Sequence, residues 1–281
     1  MRAAFGNLLG ELIRLSGSVA FPGKNSRLIP LWMSIRDQQS VKTRELPGGG
    51  KVQCDLSVPY ECMVWLKQEE QEDLEILERL LKPKDIFVDC GANIGIWTLV
   101  AAATVGPSGS VFAFEPNPTT ADKLSSNLAS SGFGNVTILR AAVGSTSGMA
   151  NLETPGAHNV SRIVGDAAEG NIEVPVVTLD SVLGDSPVSG CKIDVEGFEL
   201  EVLKGAAQIL KRSRPWLCVE FNTLLANVRR LDQWDVHAFL SDLGYVPRLF
   251  KHALDSTSTL SLTGDFEISG YCNLFYAEEK F

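Results

Sequence analysis

Asp85-Ile-Phe-Val-Asp-Cys-Gly-Ala-Asn-Ile-Gly95 reads as a buried strand that runs into a glycine turn and then into a helix. An apolar run this short, without polar alternation, belongs in a parallel sheet covered on both faces. Gly91 and Gly95 offer no Cβ, so a ligand can approach the backbone closely, and the helix N-terminus beyond them presents free N–H groups to an anion. The spacing is G-x-x-x-G, which fails the G-x-G-x-x-G pyrophosphate fingerprint of nicotinamide and flavin enzymes.

Outward from this strand, β-like runs at residues 86–90, 111–114, 136–143, 191–195, 216–221, 245–250 and 273–277 alternate with helical stretches at 94–105, 119–131, 198–210 and 234–243. That rhythm is the signature of an α/β fold with crossover helices. The expectation is a Rossmann-like, seven-stranded, mostly parallel sheet with helices on both faces over residues 81–281. Some fifty residues separate the third run from the fourth. They hold β-like segments at 148–153 and 172–177 and a polar, glycine-rich stretch at 155–170, a candidate substrate wall.

Residues 1–80 do not alternate in this way and are expected to be a helical, capping elaboration. Phe5, Leu8, Leu9, Leu12, Ile13 and Val19 recur near helical spacing, which predicts an amphipathic helix that docks on the domain or on a second copy. With Arg2 and Arg14 as its cations, it is not rich in the Lys and Arg of a membrane-surface helix. Residues 68–78 carry six acidic side chains interleaved with Leu74, Ile76 and Leu77, which reads as the solvated face of a packed helix with no ligand.

The acidic residue Glu115 ends the second strand, twenty residues beyond Gly95, about the separation at which a carboxylate reaches ribose hydroxyls in this architecture. Asp89 ends the first strand where its carboxylate can hold an ammonium group. Together they ask for a ligand with an amino-acid head and a ribose but no pyrophosphate, a description that S-adenosylmethionine meets.

Asp89-Cys-Gly-Ala-Asn-Ile-Gly95, Phe114-Glu-Pro-Asn-Pro118, Ala141-Ala-Val-Gly144 and Lys192-Ile-Asp-Val-Glu-Gly197 occur in that order. They resemble the FkbM family of S-adenosylmethionine-dependent methyltransferases, over roughly residues 80–276. The resemblance implies a class I methyltransferase domain and mostly O-methylation of sugar or polyketide-type hydroxyls. Carried across by motif, Asp89, Gly91, Ala92, Asn93 and Gly95 would hold the methionine part and Glu115 the ribose. Pro116 and Asn117 would border the adenine, with Ala141 and Ala142 as backbone neighbours. Cys90 departs from the family's usual small aliphatic residue, and Arg140 stands where many class I enzymes place a polar residue near adenine.

Asp194 and Glu196 are the acid/base candidates, because they follow a buried strand at the carboxyl edge of the sheet, where open α/β folds place ligands. Their i, i+2 spacing sends both to one side of an extended chain. His158, in the long insertion, is a third candidate, since imidazole titrates near neutrality. Lys192 reads as structural. Asp194, Glu220 and Asn222 end adjacent strands with oxygen donors suited to Mg²⁺, but no metal site is assigned.

Composition narrows the partners. Twenty-five Lys and Arg stand against thirty-four Asp and Glu, a net charge of −9 with a pI near 5.0, which argues against a nucleic-acid groove on a generally basic surface. No run approaches the ~18 to 20 apolar residues needed to span a bilayer, so a cytoplasmic protein is expected. The six cysteines include no C-x-x-C pair and read as buried thiols of a reducing compartment. A small hydroxylated molecule is the expected acceptor. A metal-assisted version, N-methylation and a non-catalytic cofactor-binding protein stay open beside O-methylation.

Overall fold

Burial on both faces of Ile86–Cys90 organises the molecule: Phe87, Val88, Asp89 and Cys90 are all within the core. In this computed structural model, residues 2–16, 24–154, 161–165, 171–250, 259–263 and 265–279 are described. In chain order the N-terminal part holds helices α1 (Arg2–Ser16) and α2 (Ile29–Ile35), strands β1 (Val41–Glu45) and β2 (Lys51–Asp55), and helices α3 (Pro59–Trp65) and α4 (Gln71–Leu80). Next come β3 (Ile86–Cys90), α5 (Ile96–Val105), β4 (Ser110–Phe114), α6 (Pro118–Ser131), β5 (Val136–Leu139) and β6 (Ala142–Val143). The long connection supplies β7 (Gly148–Glu153), β8 (Arg162–Val164), β9 (Ile172–Val177) and α7 (Leu179–Leu183). The chain continues with β10 (Gly190–Ile193), α8 (Glu199–Lys204), α9 (Ala207–Arg212), β11 (Trp216–Asn222) and α10 (Thr223–Ala226). It ends with α11 (Asp235–Asp242), β12 (Val246–Phe250), β13 (Thr259–Ser261) and β14 (Tyr271–Ala277).

The main sheet runs β13-β12-β14-β11-β10-β3-β4-β5 and has eight strands, one more than the sequence suggested. The eighth, β13, pairs antiparallel with β12 and lies in a stretch without an apolar run to announce it. β5, β4, β3, β10 and β11 are mutually parallel, and β14 inserts antiparallel between β11 and β12. Strand order reverses between β3 and β10, so the carboxyl ends of those two strands flank the crevice where open α/β sheets bind ligands.

The single run expected over 136–143 is broken. β5 ends at Leu139 in the main sheet, while Ala142–Val143 pairs with β9 in a separate four-stranded sheet ordered β6-β9-β7-β8. Arg140 at the break is exposed and bridges Asp122 at 2.6 Å, and it does not line the cleft under Glu115.

The N-terminal elaboration is only partly helical, because β1 and β2 form an antiparallel hairpin around the turn at 47–50. Their alternating burial places Arg44, Val52 and Cys54 inside. One apolar cluster joins Leu9, Ile13, Trp32 and Trp65 to Trp97, Leu99, Val111 and Phe275, so this segment packs against a face of the main sheet through α5. The other face carries α7, α8, α9 and α11 over Val88, Ile193, Leu217 and Tyr276. All six cysteines are free and five are buried, with Cys272 half-buried. Among the described residues no helix is long and apolar enough to cross a membrane.

Candidate functional site: two clefts that meet at Asp194

The turn after β3 is fixed by its own contacts. Gly91 has φ +82°, and a Cβ there would stand 1.8 Å from the carbonyl oxygen of Asp194, while one on Gly95 (φ +96°) would meet Leu124 at 2.4 Å. Both glycines are therefore required by left-handed backbone and by close internal packing. Gly91 still lines a cleft, but Gly95 does not reach one.

Glu115, at the end of β4, is buried, and each of its oxygens is held by a backbone N–H. Asn93 N donates to Oε2 and Asn117 N to Oε1, both at 2.9 Å. Burial pushes its pKa up to about 7 against the pull of those two donors. The carboxylate is thus pre-aimed, and its remaining lone pairs face a narrow cleft of about 70 Å³. Gly91, Asn93, Pro116, Ala141, Ala142, Ser161, Ile163, Asp194 and Glu196 share its wall. Asn117 itself caps α6, its Oδ1 accepting from Thr119 N and Thr120 N, and its amide donates to Ser161 Oγ. It braces the cleft from outside.

Asp89 lies deeper than the sequence suggested. It is fully buried, Thr98 Oγ1 donates to its Oδ2 at 2.6 Å, and Oδ1 has no hydrogen-bond partner. It lines neither cleft.

On the far side of Asn93, Asp194 and Glu196, which line both spaces, opens a cavity of about 420 Å³. Its wall takes Tyr60, Glu69 and Glu70 from the N-terminal segment, Ala92, Ile96 and Trp97 from the glycine turn and α5, and Lys192, Glu220, Asn222 and Tyr271 from strand ends. The acidic run at 68–78 is therefore not merely a solvated face. Glu70 turns inward and accepts from Trp97 Nε1 at 2.8 Å, and Asp73 accepts from Asn273 Nδ2 at 2.8 Å. Burial raises Glu70 to about 7. The long insertion, by contrast, contributes Leu152, Ser161 and Ile163 to the narrow cleft and, among the described residues, nothing to the large cavity. His158 lies outside the described residues.

Lys192 is buried beside Asp89, its register partner on β3, and its Nζ stands 3.0 Å from Asp194 Oδ2 and 5.6 Å from the Trp97 ring centroid. Burial works against its charge, yet Asp194, Glu70 and Asp89 together hold the pKa well above the usual lysine value. Glu196 sits in left-handed backbone (φ +55°), so the extended-chain argument for its direction fails. It nevertheless arrives beside Asp194, because β10 has already ended at Ile193 and the chain turns back on itself. The cap on the turn into α8 is made by Glu199, whose Oε1 accepts from Gly197 N. Ligand oxygens of Asp194, Glu196 and Glu220 lie within 4.8 Å of one another, close enough to share one divalent cation. Asn222, expected in that set, spends its Oδ1 on the N–H groups of Leu224 and Leu225. Burial first and then Asp194 raise Glu196 to about 7 and Glu220 to about 9.

A family model described as the methyltransferase FkbM domain matches residues 89–247, over half of the chain. The chain belongs to the FkbM methyltransferase family. The match begins at Asp89 and spans the turn, Glu115 and the Asp194–Glu196 pair. This FkbM chain is 34% identical to hexuronic acid methyltransferase AglP of Haloferax volcanii over 150 residues, which cover 50% of this chain and 58% of the relative. It is 28% identical to methyltransferase 1 of Beauveria bassiana over 150 residues, 44% of this chain and 59% of that one. The chain thus spans under two thirds of the length of these curated relatives. Solved structures similar in fold include the FkbM methyltransferase of Methylobacillus flagellatus, at 15% identity and TM-score 0.44 over 97% of this chain and 59% of that one. Another is TYW2 of M. jannaschii in complex with AdoMet, at 13% identity and TM-score 0.48 over 85% of each chain.

Proposed function

We propose that this chain transfers a methyl group from S-adenosylmethionine to a hydroxyl of a sugar or sugar-like small molecule. One observation carries the reading: the narrow cleft under Glu115 and the large cavity share Asn93, Asp194 and Glu196 as a common wall, so a donor with its nucleoside in the first and its methionine end passing Asn93 into the second meets an acceptor at two carboxylates. The sugar acceptor takes support from the named activity of the archaeal relative.

The residues present suit the cofactor. Glu115 offers two oriented oxygens to a ribose diol, Asn93 Oδ1 is buried without a partner, and Ala141 and Ala142 give a flat apolar wall beside Pro116. When bound, S-adenosylmethionine supplies a methyl group on a positively charged sulfur. The chain's part is to hold an acceptor hydroxyl in line with that methyl, an alignment worth roughly 7 to 11 kcal/mol of barrier. Asp194 would take up the hydroxyl proton as the acceptor oxygen receives the methyl group. The ammonium of Lys192, 3.0 Å away, steadies the carboxylate in place. Residues 1–80 act as the acceptor-side cap.

The close carboxylates of Asp194, Glu196 and Glu220 favour a second reading, metal assistance at the acceptor oxygen. A panel of hydroxylated sugars with labelled cofactor, followed by mass analysis of the product, tests the first reading, and a chelator added to the same assay tests the second. Transfer to a sugar hydroxyl that persists under chelation is the expected result. A folded protein that binds the cofactor and methylates no sugar would overturn it.

A further inference from the structure

We infer that the large cavity selects its acceptor by charge, preferring a sugar that carries an ammonium group, taking a neutral sugar less well and rejecting a uronate. The inference rests on the reading of the chain as a sugar methyltransferase, and it separates this chain from the relative named for a hexuronic acid.

Three independent features of the cavity lead there. The first is size: about 420 Å³ falls within the roughly 300 to 1,000 Å³ of small-molecule sites and leaves room for a pyranose ring beside the shared wall. The second is its split lining. Tyr60, Ile96, Trp97 and Tyr271 give apolar and aromatic surface for the C–H face of a sugar and for a cation over a ring.

The third is charge. Glu69, Glu70, Asp194, Glu196 and Glu220 face the space, and among the described lining residues Lys192 is the only cation. Its ammonium already stands at 3.0 Å from Asp194, so it is not free to pair with a ligand carboxylate. An ammonium brings three donors and opposite charge to such a wall, whereas a uronate brings more negative charge and no donor. A neutral hydroxyl stands between them.

The test uses the 4-nitrophenyl glycosides of glucosamine, glucose and glucuronic acid, with saturating labelled S-adenosylmethionine and a chelator present to prevent metal bridging. The expected order of kcat/KM is glucosamine, then glucose, then glucuronic acid, with roughly tenfold or more between the first and the last. Glu69→Gln, a wall change remote from the narrow cleft, should narrow that ratio several-fold while cofactor affinity holds, and added salt should narrow it in the wild type. A glucuronide methylated as fast as the glucosaminide overturns the inference and leaves methyl transfer to sugars standing. A ratio that Glu69→Gln does not move overturns it as well. Transfer to none of the three glycosides, with chelator or with added Mg²⁺, by protein shown to bind the cofactor, removes the sugar reading beneath it.

Discussion

The cleft beneath Glu115 draws most of its wall from four short motifs between residues 91 and 198, with Leu152, Ser161 and Ile163 added by the insertion, whereas the cavity across Asp194 is gathered from Tyr60, Glu70, Trp97, Glu220 and Tyr271. The first space is made by backbone: a left-handed glycine, two N–H groups on one carboxylate, and a strand end. The second is made by side chains that come together only when the N-terminal segment packs on the sheet. A chemistry common to a family needs the first arrangement, and a choice of acceptor needs only the second.

The sharpest way to break this division is at the shared wall. Asp194→Asn should lower single-turnover methyl transfer by about 10²- to 10⁴-fold, the range for loss of a general base, with cofactor affinity nearly unchanged. Equal losses in both would place Asp194 in the cofactor site alone. Next in size is the tie between the regions. Glu61 on α3 is buried, pairs with Lys123 on α6, and accepts from Asp55 N. Lys123→Ala removes one partner of that carboxylate and should cost about 1.5 to 3 kcal/mol in chemical denaturation, the range for a hydrogen bond to a charged group. A change within ±0.5 kcal/mol would mean the cap is held by apolar contacts alone.

Glu115→Ala should weaken S-adenosylmethionine binding by roughly 1 to 3 kcal/mol, measured by calorimetry, with acceptor KM unchanged. An effect on acceptor KM alone would reverse the assignment of the two spaces. A further effect is on pH dependence, where the direction is the test. Glu70, Glu115 and Glu196 are raised to about 7 and Glu220 to about 9, so the folded protein binds more protons than the unfolded chain above the ordinary glutamate value. Stability from these groups is complete below that value and is lost as pH rises through the folded values. The thermal midpoint of the ligand-free protein should fall from about pH 5 to about pH 9, and Glu220→Gln should flatten the upper part of the curve. A midpoint that rises over this range would contradict the burial of these carboxylates.

Legibility in the sequence follows the same division. β3, β4, β10 and β11 are short, mainly apolar runs bounded by turn residues, and each is readable because burial on both faces favours apolar residues at most positions. Glu115 was readable from its distance along the chain to a glycine turn. The hairpin β1–β2 is half legible: Lys51–Asp55 alternates polar and apolar after the turn at Pro47-Gly-Gly-Gly50, but Val41–Glu45 exposes Val41 and buries Arg44, which no apolar pattern shows. Glu70 and Lys192 had no such signal. Their roles depend on Trp97 and Asp194 reaching them across the fold, and one-dimensional patterning shows a charged residue without showing which way it turns.

The contact of Gly91 with the Asp194 carbonyl has a mechanical meaning. Two strand tips from opposite halves of the sheet touch there with no side chain between them, so the spacing of the glycine turn from the Asp194 backbone is set by main chain alone. Thermal breathing that displaces one tip must carry the other with it. Replacements that retune acceptor preference can accumulate around Tyr60 and Glu69 without disturbing this gauge, whereas a methyl group added at position 91 would force the tips apart and put the whole reaction out of alignment.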